Sequence, residues 1–328
     1  MKPPRLLGLV WITAGALSVA VLALVAILMF GPGARDTSAP RIATTQLPAA
    51  PATSSAQPAV RAPAEPPPRQ LAAVPPPAAM PPPARTWLRY AMPVSVAPGQ
   101  PMIAIVIDDM GLDRPRSVRT TALPAPLTLA YLAYANDLGA QTETARAAGH
   151  ELLVHVPMEP GPGADPGPNA LLTTLTPEEL NRRIEWNLSQ FTRFVGINNH
   201  MGSKATSDLP SMVSVMSQLR DRGLLFLDSR TSGATVAYAE AERQGVPALR
   251  RDVFLDHDPS PIAVRAALLQ VEQVARRQGH AIAIGHPKDA TIDALAEWLP
   301  DVRARGFALV PVSAVALRLA AGERRAAN

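Results

Sequence analysis

The chain from residue 102 onward alternates between short apolar runs and amphipathic segments. The first apolar run covers residues 102–107 and leads directly into Asp108 and Asp109. Such a run, rich in β-branched residues and ended by charge, is typical of a buried parallel strand whose carboxyl end opens into a site. The alternative is that the two aspartates cap the helix that follows, and this stretch alone leaves both interpretations open.

The same alternation continues to the end of the chain and predicts a parallel α/β barrel, closed or slightly open. Thr176, Pro177 and Glu179 are residues that favour the start of a helix. No Gly-x-Gly-x-x-Gly follows the first strand, which argues against a dinucleotide-binding fold. Further strands are predicted at residues 127–133, 151–156, 195–199, 224–228, 253–256, 281–285 and 307–310, and helices at 137–148, 176–191, 209–222, 235–244, 262–278 and 292–305.

The segment 6–30 carries no charged side chain over 25 positions. This exceeds the ~20 apolar residues that span a bilayer, so it predicts a transmembrane helix. Lys2 and Arg5 precede it, which keeps the amino terminus cytoplasmic. We therefore expect a single-pass protein of the inner or plasma membrane, with the barrel on the periplasmic or external side. The alternative is a cleaved signal peptide, although no clear small-x-small cleavage site follows directly.

Residues 31–100 contain 17 of the 36 prolines, set among Ala, Gln, Ser and Thr. Such a segment cannot bury enough apolar surface to fold, so a disordered, proline-rich spacer is predicted. The expected organisation is a membrane anchor at 1–30, a linker at 31–100 and a catalytic-type barrel at 101–328.

Charge and cysteine content narrow the chemistry of the barrel. The net charge of +4 arises in the first hundred residues, because residues 101–328 carry 23 basic and 25 acidic side chains. A near-neutral domain gives no electrostatic case for binding nucleic acid. The absence of cysteine excludes disulfides, thiolate nucleophiles and thiolate metal sites.

Polar residues follow the predicted strands at their carboxyl ends, where the chemistry of a parallel barrel gathers. Histidine with carboxylate and no cysteine is a donor set for zinc or another divalent transition metal. These residues are Asp108, Asp109, His155, Asn198, Asn199, His200, Asp228, Asp256, His257, Asp258 and His286.

The six histidines fall into distinct groups. His150 and His280 stand at strand starts, at the opposite face of the barrel, and are interpreted as structural. His155 and His200 end apolar strands, which favours metal ligation, and His286 is interpreted as catalytic. The stretch 256–258, which contains His257, could supply a second donor cluster or only anchor its loop.

At these residues the sequence resembles the divergent polysaccharide deacetylase family, a branch of the NodB-like carbohydrate esterases. The resemblance covers essentially all of residues 101–320 and implies a distorted (β/α)7-type parallel barrel that removes acetyl groups from N-acetylated sugars with the help of a metal. The motifs that carry it are Ile107-Asp-Asp-Met-Gly, His155-Val-Pro-Met-Glu-Pro, Gly196-Ile-Asn-Asn-His-Met-Gly-Ser, Phe226-Leu-Asp-Ser-Arg and Ile284-Gly-His-Pro.

The resemblance also implies roles for individual residues. Asp108 would be the general base, and Asp109 and His155 metal ligands. The family's second histidine is absent four residues after His155, so Glu159 or His200 would complete the ligand set. His286 would be the general acid, oriented by Asp228.

The family's Arg-x-Pro-Tyr motif is absent after the fourth strand. In its place stands Asn199-His200-Met201-Gly202-Ser203. The resemblance therefore does not identify which residue would stabilise the oxyanion or tune the pKa of the base. Asn199, Ser203 and Arg230 are predicted to bind the substrate.

The predicted function is metal-dependent deacetylation of an N-acetylated cell-envelope polysaccharide, with zinc as the expected ion and peptidoglycan as one candidate substrate. The alternative is an inactive barrel that binds an envelope glycan or partner, which the altered motifs would suit. A metal phosphoesterase is disfavoured, because no cluster of basic residues is expected at the site face beyond Lys204, Arg230 and Lys288.

Overall fold

The computed structural model of the protein describes residues 85–326. The predicted membrane helix and residues 31–84 of the predicted linker lie outside this range and stay predictions. Among residues 85–326, no helix combines the length and the apolar character that crossing a bilayer requires.

Nine strands of the described chain form a single parallel sheet in the order β6-β5-β4-β3-β2-β1-β8-β7, with β9 paired to the start of β1. The predicted parallel α/β class is therefore confirmed. β6 and β7 form the two ends of this order and share no pairing within residues 85–326, so the sheet is open between them. The strands are β1 (Met102–Met110), β2 (Thr128–Leu132), β3 (Glu151–Met158), β4 (Gly196–Met201), β5 (Leu225–Asp228), β6 (Ala248–Arg250), β7 (Val253–Phe254), β8 (His280–Gly285) and β9 (Ala308–Leu309).

Nine helices accompany the strands in residues 85–326. Thr176 caps one of them as predicted, since its hydroxyl accepts the N–H of Glu179 at 3.3 Å. The second helix was not predicted, because it buries only Ser117 and Thr120 and so lacks an apolar stripe. The helices are α1 (Thr86–Tyr90), α2 (Arg114–Thr121), α3 (Leu138–Ala147), α4 (Pro177–Leu188), α5 (Leu209–Arg222), α6 (Ala237–Gln244), α7 (Pro261–Gln278), α8 (Asp289–Val302) and α9 (Val312–Ala326).

The two faces of the sheet belong to different core clusters. Along β1, Ile103, Ile105 and Ile107 join the cluster packed against most of the helices. Met102, Ala104 and Val106 join a second cluster with α1 and α9. This second, concave face is called the inner face below. The alternation follows from the two-residue period of a strand and decides which polar residues can meet at the strand ends.

Residues 85–100 belong to the folded domain, which corrects the predicted linker boundary at residue 100. Trp87 is buried, and its N–H donates to the carbonyl of Gly223 at 2.9 Å. Arg146 donates to the carbonyl of Tyr90 at 2.7 Å. Trp87 and its neighbours thus dock a segment whose proline content had suggested a spacer.

Glu151, at the amino end of β3, holds this docked segment and the last helix together. Its carboxylate accepts the N–H of Met92 at 3.2 Å, the N–H of Ser313 at 3.0 Å and the Ser313 hydroxyl. The side chain is fully buried, and burial raises the pKa of Glu151 from 4.5 to about 7, against the opposing effects of Ser313, Met92 and Arg146. The folded protein therefore holds a proton here more tightly than the unfolded chain does.

This carboxyl group should make stability depend on pH. A pKa that is raised on folding stabilises the folded state fully below pH 4.5, and this contribution is lost as the pH rises to about 7. The loss amounts to about 3 kcal/mol at 1.36 kcal/mol per pKa unit. Urea unfolding between about pH 4.5 and 8 should show this slope in the wild type and lose it in Glu151→Gln. Glu143→Gln, at an exposed position, is the control that should keep the slope; an unchanged slope in Glu151→Gln would contradict the assignment.

Candidate metal centre and active site

The inner face of the sheet carries the polar residues at the carboxyl ends of five elements. Asp108 continues the inner positions Ala104 and Val106 of β1, and His286 continues Ile282 and Ile284 of β8. Ile107 pairs with Gly285, so Asp108 and His286 leave these two neighbouring strands side by side. Strand alternation thus brings together two residues that are 178 positions apart in the sequence.

Asp109 breaks the alternation and reaches the same cavity as Asp108. Its φ of 55° is left-handed, and the register of β1 with β2 shifts between Ile107 and Met110. An irregularity of this kind re-aims a side chain that a regular strand would direct to the opposite face. Asp tolerates the left-handed region better than most residues. Both carboxylates consequently line one cavity.

β3 and β4 supply two histidines through their parallel register. His155 pairs with Asn198, and Pro157 pairs with His200. Residues 155 and 157 share a face, so His155, Asn198 and His200 all lie on the inner side. His155 and Asn198 are buried, and the His200 side chain is 13% exposed.

Asp109, His155 and His200 direct one donor atom each toward a common point. Asp109 Oδ1 lies 3.2 Å from His155 Nε2 and 2.8 Å from His200 Nδ1, and the two nitrogens are 3.2 Å apart. Ligand atoms about 2.0–2.2 Å from a tetrahedral zinc ion are about 3.3–3.6 Å from one another. The observed separations are slightly shorter than this and leave the three atoms arranged as three corners of such a site.

Asn198 holds the proton of His155 on Nδ1, the ring nitrogen that faces away from Asp109 and His200. Its amide nitrogen donates to Asp108 Oδ1 at 2.7 Å, so its oxygen must be the atom that faces His155 Nδ1 at 2.8 Å. An imidazole that donates through Nδ1 presents the lone pair of Nε2 to Asp109. A hydrogen-bonded second nitrogen is the usual support of a metal-binding histidine.

The electrostatics of the cluster suit a cation. Asp109 Oδ1 is buried and lies against the His155 and His200 nitrogens without a well-directed hydrogen bond from either. Burial acts to lower the pKa of His155, but the charges of Asp108 and Asp109 outweigh it and raise that pKa. The same negative potential would stabilise a divalent ion. Two imidazoles, one carboxylate and no cysteine match zinc or another divalent transition metal, so these residues fit the ion that the sequence predicts.

Asp108 lies beside this cluster, with Oδ2 at 3.7 Å from His155 Nε2. The Asp108 side chain is 4% exposed. Burial raises the pKa of Asp108 above its ordinary value, although His155, His286 and the hydrogen bond from Asn198 act against it. A carboxylate whose pKa is raised by burial is a stronger proton acceptor than an exposed one.

His286 is held by Asp256, a residue that was not assigned a role with it from the sequence. His286 Nδ1 lies 2.9 Å from Asp256 Oδ1, and the backbone N–H of His286 donates to Asp256 Oδ2 at 2.8 Å. His286 Nε2 is left facing the cavity, 3.9 Å from Asp109 Oδ2. Burial acts to lower the pKa of His286. The hydrogen bond with Asp256 and the charges of Asp108, Asp256 and Asp109 outweigh it and raise that pKa.

The prediction that Asp228 orients His286 is therefore wrong. Asp228 accepts the N–H of Arg230 at 2.8 Å and the hydroxyl of Thr235 at 2.9 Å. Asp228 shares its parity with Phe226, which packs on the outer, helix-covered face of the sheet. Asp256 has the parity of Phe254, whose ring lies 5.6 Å from that of His286.

Glu159 is not part of the metal cluster, which corrects that alternative in favour of His200. One Glu159 oxygen pairs with Lys204 Nζ at 2.6 Å, and the other accepts the N–H and hydroxyl of Thr173 at 2.6 and 2.7 Å. Glu159 follows the last residue of β3, so the strand no longer directs its side chain to the inner face.

Of the three predicted substrate-binding residues, Asn199 and Arg230 line the cavity and Ser203 does not, while Asn199 also makes hydrogen bonds within the protein. Asn199 donates to the carbonyl of Met201 at 2.7 Å and accepts the N–H of Ser229 at 2.9 Å. Ser203 accepts the N–H of Gly161 at 2.8 Å and does not line the cavity. Arg230 does line it. The cavity has a volume of about 480 Å³, within the range of small-molecule sites.

Of the remaining histidines, His150 and His280 lie at the other end of the sheet and behave as structural groups, whereas His257 lies at the cavity. His150 is buried, accepts the N–H of Leu127 at Nδ1 and places Nε2 3.0 Å from the carbonyl of Thr121. His280 opens β8 opposite Met102. His257 lines the cavity and lies with its ring 5.7 Å from Phe254.

Metal content should separate these groups. His155→Ala and His200→Ala should each abolish stoichiometric binding of zinc, because an incomplete three-ligand set holds the ion poorly. Glu159→Gln should retain it, since Glu159 is paired elsewhere. The measurement is elemental analysis of the purified, dialysed protein, with His280→Ala as the histidine control. Loss of metal in Glu159→Gln or His280→Ala would contradict the ligand assignment.

Comparison with known proteins gives related sequences that are themselves uncharacterised. Escherichia coli K12 protein YibQ is 37% identical over 204 residues, which are 61% of this chain and 64% of that protein. A Haemophilus influenzae protein is 35% identical over 205 residues, 62% of this chain and 73% of the relative. The match thus spans less than two thirds of the E. coli relative.

A solved structure and a family model extend the comparison. The crystal structure of the uncharacterised protein ATU2773 from Agrobacterium tumefaciens C58 aligns with a TM-score of 0.69 and 32% identity, covering 70% of this chain and 95% of that one. The sequence model described as divergent polysaccharide deacetylase matches residues 105–316, which contain every residue of the site above. The chain therefore belongs to the divergent polysaccharide deacetylase family.

Proposed function

We propose that the protein is a metal-dependent hydrolase that removes acetyl groups from an N-acetylated polysaccharide of the cell envelope. The observation that carries the proposal is a convergent ligand set, Asp109, His155 and His200, in one cavity with Asp108 and His286. Amide hydrolysis needs polarisation of a carbonyl, a proton acceptor for water and a proton donor for the departing amine. The cavity offers a group for each of these three needs.

Asp109, His155 and His200 would hold the ion, for which zinc is the proposed identity. A divalent ion bound there would polarise the acetyl carbonyl and acidify a water molecule. Asn198 keeps the proton of His155 on Nδ1, so Nε2 stays available as a donor atom. The family's second histidine is missing four residues after His155. Metal binding would still be possible, because His200 on β4 supplies a third ligand in its place.

Asp108 would accept the proton of the attacking water. Asp108 is buried, and its Oδ2 lies 3.7 Å from His155 Nε2. A carboxylate whose pKa is raised by burial therefore lies beside the ligand set. The hydrogen bond from Asn198 to Oδ1 leaves Oδ2 free to act. As the water oxygen bonds to the acetyl carbon, its proton would move to Oδ2 of Asp108.

His286 would donate a proton to the sugar nitrogen as the carbon–nitrogen bond breaks. Asp256 binds Nδ1 and favours the protonated imidazole, while Nε2 faces the cavity. The products would be acetate and a free amino sugar. Asp256 is thus a positioning residue, which sets the orientation of His286 and supports its charge.

The identity of the glycan as an envelope polymer rests on the predicted membrane helix at residues 6–30, with the barrel on the periplasmic or external side. Family membership supports an N-acetylated polysaccharide in general. Peptidoglycan is the polymer of this class that such a protein would meet first.

An inactive glycan- or partner-binding barrel is the competing function. The absent Arg-x-Pro-Tyr motif motivates it, whereas the completed ligand set and the paired His286 and Asp256 favour the hydrolase. A binding protein would have no need of a buried base next to a metal-type cluster.

Asp108→Asn should distinguish the two functions. The variant should retain metal but release acetate about 10²- to 10⁴-fold more slowly, because a neutral amide cannot accept the water's proton. The measurement is acetate release from N-acetylated oligosaccharides and peptidoglycan fragments, together with elemental analysis. A fully metallated wild type that releases no acetate from either class would support the binding function instead.

Asp256→Asn should shift the pH dependence of the reaction. Removing this carboxylate lowers the pKa of His286, and a general acid must be protonated, so the basic limb of the rate profile should move to lower pH. Asp228→Asn is the matched control and should leave the position of that limb unchanged. The measurement is kcat against pH for both variants. A shift produced by Asp228→Asn alone would restore the role predicted for it from the sequence.

A further inference from the structure

Arg230 and Arg251 line the same cavity as the candidate ligand cluster. Arg230 follows β5 and is exposed, whereas Arg251 occupies the gap between β6 and β7 and is partly buried. Only Arg230 could be anticipated from the sequence as a residue of this face. The cavity is therefore lined by carboxylates and imidazoles, called the acidic wall below, and by two guanidinium groups.

Neither guanidinium has a carboxylate partner within 4.0 Å among residues 85–326. Other arginines of the domain are paired: Arg116 with Asp113 and Asp289, and Arg243 with Glu240. A single surface arginine without a partner is common. Two arginines that line the same cavity repel each other, and an anion would stabilise their charges better than water alone. Burial and the nearby charge of Arg230 lower the pKa of Arg251, although the charges of Asp108 and Asp228 act against them.

Arg251 is fixed rather than free to turn away. Its Nε donates to the carbonyl of Ser229 at 2.7 Å, and one terminal nitrogen donates to the carbonyl of Arg230 at 3.0 Å. Its guanidinium also lies over the Phe254 ring, 4.8 Å from the centroid. These contacts leave the rest of the guanidinium available to a ligand at a defined place.

The backbone that presents Arg230 is strained and specifically held. Arg230 has a left-handed φ of 51°, which costs a non-glycine residue about 1 kcal/mol or more. Asp228 stabilises this turn by accepting the N–H of Arg230, and Asn199 holds the preceding N–H of Ser229. Strained residues that the surroundings hold in place concentrate at functional sites. This observation is independent of the charge argument.

We propose that Arg230 and Arg251 bind a carboxylate of the substrate, so that the preferred glycan is an N-acetylated sugar polymer bearing a free carboxylate close to the acetamido group, such as a lactyl ether or a uronic acid. The inference rests on the proposed function for the position of the acetamido group, which the acidic wall would receive. Guanidinium groups recognise carboxylates through paired, charge-assisted hydrogen bonds.

A carboxylate is favoured over a phosphate by the number of donors that remain. Arg251 already uses Nε and one terminal nitrogen on backbone carbonyls, which suits an anion with two oxygens better than an anion with three. Phosphate is nevertheless bound by the same guanidinium chemistry and is one arm of the test.

The test is calorimetric binding, measured in the Asp108→Asn background so that the sugar is not consumed. Three oligosaccharides of equal length are compared: one with a lactyl-ether carboxylate, its neutral methyl amide, and one with a sugar phosphate. We expect the carboxylate to bind about tenfold more tightly than the amide, as for a charge-assisted hydrogen bond. Adding Arg230→Gln should reduce this ratio toward one, and Arg230→Lys should give an intermediate ratio. Arg277→Gln, an exposed arginine next to the start of β8, is the matched control and should keep the full ratio.

Several outcomes would overturn the inference: equal affinity for carboxylate and amide, a ratio that survives Arg230→Gln, or no binding of any of the three. Tighter binding of the phosphate than of the carboxylate would overturn the assignment of the ligand. Failure of the proposed function is separate, because it appears as absent acetate release by the wild-type protein, whereas the charge-dependent binding ratio does not depend on turnover.

Discussion

The two-residue period of the strands is the constraint on which the site depends. On the inner face, positions 104 and 106 lead to Asp108, position 153 leads to His155, and positions 282 and 284 lead to His286. Each of these residues reaches the cavity because the apolar positions before it pack on the inner face. A one-residue slip in any of these strands would replace a site residue by an outward-facing neighbour. The apolar core and the chemistry of the site are therefore specified by the same register.

One residue reaches the cavity only by departing from this rule. A regular β1 would direct Asp109 toward the helix-covered face, where an ionised carboxylate would be buried among Ile103, Ile105 and Ile107. The left-handed backbone at Asp109 and the register shift beside it move the carboxylate to the inner side. The energy of that strain is offset if Asp109 binds a cation, because its Oδ1 then gains a positively charged partner beside the two imidazole nitrogens.

The sequence allowed the parallel α/β class, most strands and the principal site residues to be predicted, because apolar runs that end in His or Asp are explicit in it. It did not show which side chains contact one another. Asn198 binds Asp108, and Asp256 rather than Asp228 binds His286, because such pairs become apparent only once the strands are paired. Side-chain partners were also inaccessible: Glu159 could be a ligand until Lys204 and Thr173 were found to bind it.

Asn198 also accounts for the orientation of Asp108 in a chain that lacks the arginine of the Arg-x-Pro-Tyr motif. A cation bonded to Asp108 would lower the pKa of that carboxyl and weaken it as a base. The Asn198 amide orders the same carboxylate while remaining neutral, so burial keeps the pKa of Asp108 raised. The positive charge of this region instead lies on Arg251, beyond ion-pair distance of Asp108, so in the proposed reaction it would be available to the substrate without neutralising the base. The chain would thus orient its base with a neutral amide and carry its cationic group elsewhere in the cavity.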